Sequence, residues 1–302
     1  MNRFVADPDW HGYIVAYFYL GGIAAGAYAI ASMAALFGDE AARRGTRGAF
    51  YIAFPIVNFC GLLLTIDLGR PERFWHMMFR SQTLWPMFKW WSPMSAGAWG
   101  LAAFGAFSGA SFLGVLAEDR RFGLGRFAPI AERLGRGFIG RAFEVGGTLS
   151  AFFLGSYTGA LLTATNQPIW ADTSWLAALF LASSASTGIA ALTLVHRWWL
   201  GDAGREVSHR LEFADLWAIG LEACTLALFA MSMGRWIGLA LSAWPGILLP
   251  AVVVPVGLVL PALFLAGPRR VPEWAAPVLV LVGGFFLRYA VVGLPEVFRS
   301  GH

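Results

Sequence analysis

Cysteine and histidine are scarce in this chain of 302 residues, which has two of the first and five of the second. An iron–sulfur cluster takes four ligands, usually cysteines, so Cys60 and Cys224, in two different apolar segments, cannot hold one. Both read as small buried apolar residues. A b-type haem needs axial ligands inside the bundle, commonly two histidines. His11, His209 and His302 fall in tails or loops, His196 at a helix end and His76 in a loop, so no pair is placed to clamp a haem. Charge is scarce too: 13% of residues are charged against 58% hydrophobic, with a mean hydropathy of +0.62. That balance excludes a soluble globular domain. A cleavable leader is also not expected, because the first apolar run is longer than a signal core and only Arg3 precedes it.

What is abundant is apolar length. A helix needs about 20 apolar residues to cross the hydrocarbon core. Eight segments qualify, roughly 13–37, 49–67, 95–117, 143–165, 175–197, 212–233, 245–266 and 275–294. The chain therefore reads as all-α and polytopic, a single membrane domain over 1–302 with no part left over for a nucleotide or a large cofactor. With eight spans the termini share a side. One set of loops carries 14 basic residues, among them Arg43, Arg44, Arg47, Arg120 to Arg141, Arg197, Arg205, Arg210, Arg269 and Arg270; the other carries seven. The positive-inside rule puts the first set in the cytoplasm and both termini outside. The stretch from Arg120 to Arg141 interleaves arginines with Phe122, Phe127, Ile130 and Phe138, as expected of a segment lying on an anionic leaflet of the lipid bilayer. In a membrane chain that charge does not point to nucleic acid.

The densest polar segment is Asp67-Leu-Gly-Arg70-Pro-Glu-Arg73-Phe-Trp75-His76, on the outer face. Lipid does not solvate such groups, so they face water, one another, a partner or a polar ligand. Asp67 and Arg70 read either as a helix cap with a rim salt bridge or as a functional pair. Trp10, Trp75, Trp85, Trp90, Trp91, Trp170, Trp175, Trp236 and Trp244 all fall on the same side. An interfacial belt accounts for several; the crowd at 75–91 also suits a docking surface, with Arg73, Trp75, Trp85, Trp90 and Trp91 as its residues.

Inside the spans, Tyr13 and Tyr17 share a face of the first helix above Gly21, Gly22 and Gly26. The fourth carries Gly155, Gly159 and Thr163 at intervals of four, a close-packing edge. Tyr157 lies about two turns below the outer end of that span, with Asn166 and Asp172 at its rim. Glu222 is mid-way along the sixth span with Asp215 on the same face, and Arg288 is in the eighth. These three read as a structural ion pair between helices or as a proton path.

Five strings together resemble the NrfD-like family, the polysulfide-reductase-type membrane subunits: Leu20-Gly-Gly-Ile-Ala-Ala-Gly-Ala27, Asp67-Leu-Gly-Arg-Pro-Glu-Arg73, Ser92-Pro-Met-Ser-Ala-Gly-Ala-Trp99, Tyr157-Thr-Gly-Ala-Leu-Leu162 and Leu287-Arg288-Tyr289. The resemblance covers essentially the whole chain. It implies a haem-free subunit of a bacterial cytoplasmic-membrane oxidoreductase, with eight helices in two four-helix bundles, roughly 13–165 and 175–294. The first bundle is expected to bind a quinone, menaquinone or ubiquinone, near the outer (periplasmic) face. Electrons are expected to pass to or from a ferredoxin-like iron–sulfur subunit, joined to a molybdopterin catalytic subunit. By this resemblance Tyr157 stands where the family's fourth-helix tyrosine contacts quinone. Ile14 and Tyr17 stand where an asparagine and a histidine are expected, so Tyr13, Tyr17 or His11 would substitute. Quinone chemistry moves two electrons and two protons, which calls for donors to the carbonyls and a titratable group joined to water. Tyr157, Asp67 and His76 are the candidates, with Arg70 and Asn166 beside them. Competing readings are a proton or solute transporter using Asp215, Glu222 and Arg288, and a passive anchor.

Overall fold

The computed structural model describes residue 10 and residues 12–129, 137–200, 205–242, 244–267 and 271–296. His11, His302, Arg3, Arg133, Arg136, Arg269, Arg270 and Arg299 lie outside them. Among the described residues the chain is helical, without a β-strand. Eight of the described helices are long and apolar enough to cross a membrane, as the hydropathy pattern requires. They are α1 (Gly12–Phe37), α2 (Gly48–Asp67), α3 (Pro93–Glu118), α4 (Gly137–Thr163), α5 (Leu176–Leu200), α6 (Arg205–Ser232), α7 (Leu249–Ala266) and α8 (Ala275–Gly293). A short helix, Glu40–Thr46, leads into α2. The protein is a multi-pass membrane protein. Boundaries match the apolar runs within a few residues, except that α4 and α6 begin about two turns earlier. Their extra turns carry Arg141, Arg205 and Arg210, polar positions that a hydropathy window trims but a helix keeps.

In lipid no hydrophobic force draws helices together, so association rests on close backbone approach and polar contacts. α1 is the hub and packs against α2, α4, α5 and α8. Its closest crossing is with α5. A Cβ on Gly26 would fall 1.8 Å from the Ser184 carbonyl oxygen, and one on Gly188 would fall 2.3 Å from the Ala27 nitrogen. Only glycine fits either position. Elsewhere α2 packs on α3, α3 on α4, α4 on α5, α5 on α6 and α8, and α7 on α8. The close-packing edge of α4 meets α5, where a Cβ on Gly159 would lie 2.3 Å from the Leu176 carbonyl oxygen. Two apolar clusters fill the bundle. One surrounds Tyr17, Phe18, Leu162, Trp170 and Leu287 near the end where α1 begins, here termed the rim. The other surrounds Tyr28, Phe50, Phe104 and Leu154 toward the opposite, arginine-rich end.

Two features differ from the sequence reading, and α7 has a local irregularity of its own. Trp170 is not part of an interfacial belt: it is 1% exposed, its Nε1 donates to the Val291 carbonyl at 2.7 Å, and its ring stacks on Trp10 at 5.3 Å. The loop after α4 folds inward at Ile169 and carries the indole with it. Cys224 is exposed on the flank of α6 rather than buried, whereas Cys60 is buried. The prolines of α7 do not break it. Leu249–Val259, with Pro250 and Pro255, winds as a π-helix that runs into an α-helix at Leu260. Proline lacks the N–H of the ordinary ladder, and the wider turn accommodates the gap.

The arginine-rich end is partly neutralised by cross-ties. Arg210 pairs with Asp39 at 2.7 Å, Arg47 with Glu118 at 2.7 Å and Asp119 at 3.3 Å, and Arg197 with Glu273. These hold α6 to the α1–α2 connection, α2 to the end of α3, and α5 to the start of α8. Phe122, in the α3–α4 connection, is 88% exposed, and Phe138, in the first turn of α4, is 87% exposed. Apolar rings standing out between arginines suit the expected contact with a leaflet.

Candidate functional site

The rim turn begins where α2 ends. Gly69 takes a left-handed φ of +64°, which favours glycine, and Arg70 follows at φ −136° and ψ 76°. Pro71 then opens a 3₁₀-helix, Pro71–Met77, at the position where its missing N–H costs nothing. This geometry separates two residues expected to pair. Asp67 stays half-buried on α2 while Arg70 is exposed, and no ion pair or side-chain hydrogen bond joins them among the described residues. Asp67 is not a cap either, because the helix closes through the Leu68 N–H on the Thr65 carbonyl. The left-handed turn at Gly69 overrides what a spacing of three suggests.

Past the turn the loop is built against itself and α3. His76 stacks on Trp75 at 3.8 Å, and its Nδ1 lies 3.2 Å from the Arg73 carbonyl oxygen. A tight hairpin follows, with Met87 N–H donating to Met78 O and Arg80 N–H to Trp85 O. Trp99 Nε1, from α3, donates to the Met87 carbonyl at 3.1 Å and pins the hairpin down. Trp85, Trp90 and Trp91 are left 72%, 77% and 66% exposed, while Trp75 is half-buried and Arg73 exposed.

Below the loop, Tyr157 is buried between α3 and α4. Its hydroxyl donates to the Pro93 carbonyl at 2.7 Å, and its ring stacks on Phe153 at 5.3 Å. The Ser92-Pro-Met-Ser string explains the fit. Pro93 starts α3, Ser92 Oγ caps it by accepting from the Ser95 N–H, and Gly97 leaves the notch into which the phenol fits. A Cβ on Gly97 would meet the Tyr157 hydroxyl at 2.1 Å. Tyr17 is buried on α1 beside Cys60 of α2 and within electrostatic range of Tyr157. Thus α1, α2 and α4 bring Tyr17, Cys60 and Tyr157 together, with Asp67 two turns above Cys60 on α2. Tyr13 is 48% exposed and Asn166 exposed; neither joins them. A cavity of about 230 Å³ lies at the opposite end, lined by His209, Glu212 and Glu273 among others, away from this group.

The second polar group is at the centre. Arg288 is wholly buried and serves three helices. Nε donates to the Phe18 carbonyl of α1 at 3.0 Å. Nη1 donates to Ser183 Oγ of α5 at 2.9 Å and to the Gly284 carbonyl of α8 at 2.9 Å, and Nη2 donates to Ser184 Oγ at 3.2 Å. Gly22 makes room for the guanidinium, since a Cβ there would lie 2.4 Å from Nη2. Glu222 and Arg288 are not a direct ion pair. Among the described residues no carboxylate lies within 4.0 Å of the guanidinium. Ser183 stands between them, in reach of Glu222 and bonded to Arg288, while Ser186 reaches both Glu222 and Asp215, the latter at 3.5 Å. The result is a buried chain Asp215–Ser186–Glu222–Ser183–Arg288. The serines are the members that charge and hydropathy alone do not single out, although Ser183-Ser-Ala-Ser-Thr187 in mid-span is a visible signal.

A model of the family described as "Polysulphide reductase, NrfD" matches residues 5–294. The chain belongs to the NrfD family. It is 30% identical over 233 residues to a polysulfide reductase chain of Wolinella succinogenes, covering 74% of this chain and 70% of that protein. A shorter likeness, 33% over 82 residues, relates 27% of the chain to 19% of a selenate reductase subunit of Mesobacillus selenatarsenatis. In this NrfD-family chain the five strings fall at closely fitted places. Leu20–Ala27 holds the α1–α5 crossing and the Arg288 notch, Asp67–Arg73 the rim turn, and Ser92–Trp99 the start of α3 with the Tyr157 notch. Tyr157–Leu162 lies on α4, and Leu287–Tyr289 surrounds the buried guanidinium.

Proposed function

We propose that this chain is the haem-free membrane subunit of a reductase complex, passing electrons between the quinone pool and a peripheral iron–sulfur subunit at the rim. Membership of the NrfD family over residues 5–294, with likeness to the Wolinella polysulfide reductase protein over most of both sequences, carries this reading. A molybdopterin subunit would complete the complex, in the bacterial cytoplasmic membrane with the rim and both termini on the periplasmic side. The arginine excess at the opposite end supports that orientation. On this reading α1–α4 form the quinone-binding group and α5–α8 a second group.

The residues at the rim fit such a carrier. A quinol bound there would supply two electrons and two protons, and a quinone would take them up. Tyr157 spends its only hydrogen on Pro93, which leaves its oxygen as an acceptor toward a hydroxyl of the reduced form. Tyr17 lies buried beside it, and Asp67, a half-buried carboxylate without an ion partner among the described residues, is the group to hold or release a proton toward water. Arg70, His76, Tyr13 and Asn166 form the more exposed margin. Arg73, Trp75, Trp85, Trp90 and Trp91 form the partner surface; large exposed aromatics held on a pinned hairpin support that role. Quinol oxidation by the purified complex tests the assignment with Tyr157→Phe and Asp67→Asn. Each is expected to lower turnover, and unchanged rates in both would remove these residues from the site.

The buried chain Asp215–Ser186–Glu222–Ser183–Arg288 favours a second reading, in which α5–α8 conduct protons. Two carboxylates bridged by hydroxyls in lipid-embedded helices suit proton passage better than an ion pair does. Proton uptake by vesicles containing the complex, compared with Glu222→Gln, separates the two. An unaltered proton-to-electron ratio would leave the cluster a structural one.

A further inference from the structure

We propose that Glu144, Ser32, Tyr28 and Ser111 form a hydrated proton-binding site within α1, α3 and α4, reached from the arginine-rich end. α4 carries Glu144 about two turns in from Gly137, where the residue keeps partial exposure while its Oε2 is buried. Ser32 of α1 is wholly buried, with its hydroxyl beside both Glu144 and Tyr28. Neither Ser32 Oγ nor Glu144 Oε2 has a hydrogen-bond partner of good geometry. On the other side the Tyr28 hydroxyl shares a 2.9 Å hydrogen bond with Ser111 Oγ of α3. The surroundings fix these atoms in place. Phe50 and Phe104 meet the Tyr28 ring edge-on, each at 5.3 Å. Gly147, three residues beyond Glu144, makes room for the phenol, since a Cβ there would lie 2.4 Å from the hydroxyl.

A buried carboxylate oxygen and a buried hydroxyl, adjacent but each unpaired, are the setting in which proteins retain a water. One water gives both atoms a partner and gives an arriving proton a route to the carboxylate. Arg141 is exposed one turn earlier on α4, and His196 of α5 lies toward the same end. At the end of α3, Glu118 and Asp119 pair with Arg47. The site is separate from the rim. Between Tyr28 and Tyr19, α1 offers only Leu20-Gly-Gly-Ile-Ala-Ala-Gly-Ala27, with no side chain able to relay a proton upward. Nor does it share a residue with the Arg288 chain, and it stands whether or not the rim binds quinone.

Infrared difference spectra of the full chain in lipid vesicles without quinone, comparing acidic with alkaline buffer, test this. The expected result is a protonated-carboxyl carbonyl band that appears on acidification, is lost in Glu144→Gln and changes frequency in Ser32→Ala. The serine variant removes one hydroxyl from a packed site and keeps the test open if the glutamine variant does not fold. Spectra identical in wild type and Glu144→Gln, or a band insensitive to Ser32→Ala, would overturn the proposal. So would suppression of the band by sodium but not by choline at constant pH, which would make the cluster a metal-cation site.

Discussion

The hydroxyl of Tyr157 donates to the carbonyl oxygen of Pro93 at 2.7 Å, fastening α4 to the first turn of α3. The bond fixes the phenol and the start of the rim helix together, so one substitution probes stability and function separately. Tyr157→Phe keeps the ring stack on Phe153 and removes the bond, at a cost of about 1 kcal/mol. Gly97→Ala instead puts a methyl group on the phenol and displaces it. Thermal unfolding in detergent is expected to rank Gly97→Ala below Tyr157→Phe, and Tyr157→Phe slightly below wild type.

Glycines in the spans do not all serve the same purpose, and substitution sorts them. Gly26→Ala sets a methyl group against the Ser184 carbonyl in the tightest helix crossing, where backbone has no rotamer to yield. A loss of at least about 1–3 kcal/mol is expected, or failure to assemble. Gly61, on α2, has nothing within 4 Å of a would-be Cβ. Gly61→Ala is expected to be neutral or to stabilise by up to about 1 kcal/mol through helix propensity. Equal effects of the two would contradict the crossing geometry.

Arg288 joins α1, α5 and α8 through four hydrogen bonds, two to backbone carbonyls and two to serines. Arg288→Met leaves those acceptors unpaired and Glu222 without its nearest cation. It is expected to cost about 3–5 kcal/mol, the range for breaking a buried ionic network. Arg288→Lys retains charge without the planar fork and should fall between. A Lys variant as stable as wild type would show that charge alone, not the fork, secures the three helices.

Tryptophans at the rim divide the same way. Trp170→Phe loses the bond to Val291 and part of the stack on Trp10, at about 1–3 kcal/mol. Trp85→Ala, Trp90→Ala and Trp91→Ala remove exposed rings and are expected to leave the melting temperature of the isolated chain unchanged. If the hairpin is the partner surface, they weaken co-purification of the iron–sulfur subunit instead.

Much of this is legible in the sequence, and the reason is physical. Lipid demands about 20 apolar residues per span, so hydropathy alone locates eight helices. Buried charge in a membrane is expensive, so Asp215, Glu222 and Arg288 stand out without coordinates. What stays hidden depends on distance between helices. Whether Glu222 touches Arg288 turns on Ser183, whose hydroxyl is unremarkable in sequence. The parting of Asp67 and Arg70 turns on the φ of Gly69, and the burial of Trp170 on a loop that folds inward. Glu144 does not stand out in the sequence because its significance lies in atoms of α1 that it nearly meets.

Asp39 gives a pH-dependent prediction outside the membrane spans. Its carboxylate accepts the Ala42 N–H at 2.9 Å as the cap of the short helix Glu40–Thr46, and it accepts from Arg210 at 2.7 Å. The Ala42 N–H first, and Arg210 next, hold its carboxyl below the usual carboxylate range. A group depressed in the folded state contributes stability above its unfolded value and loses it as pH falls through its folded one. At neutral pH the cap and the tie to α6 are therefore intact, and acidification is expected to release both. Amide exchange in Ala41–Thr46 should quicken on acidification beyond the intrinsic trend in wild type. In Asp39→Asn, whose amide still caps but carries no charge for Arg210, that added dependence should vanish. Identical pH profiles for the two proteins would place the tie between α6 and the α1–α2 connection on some group other than this carboxylate.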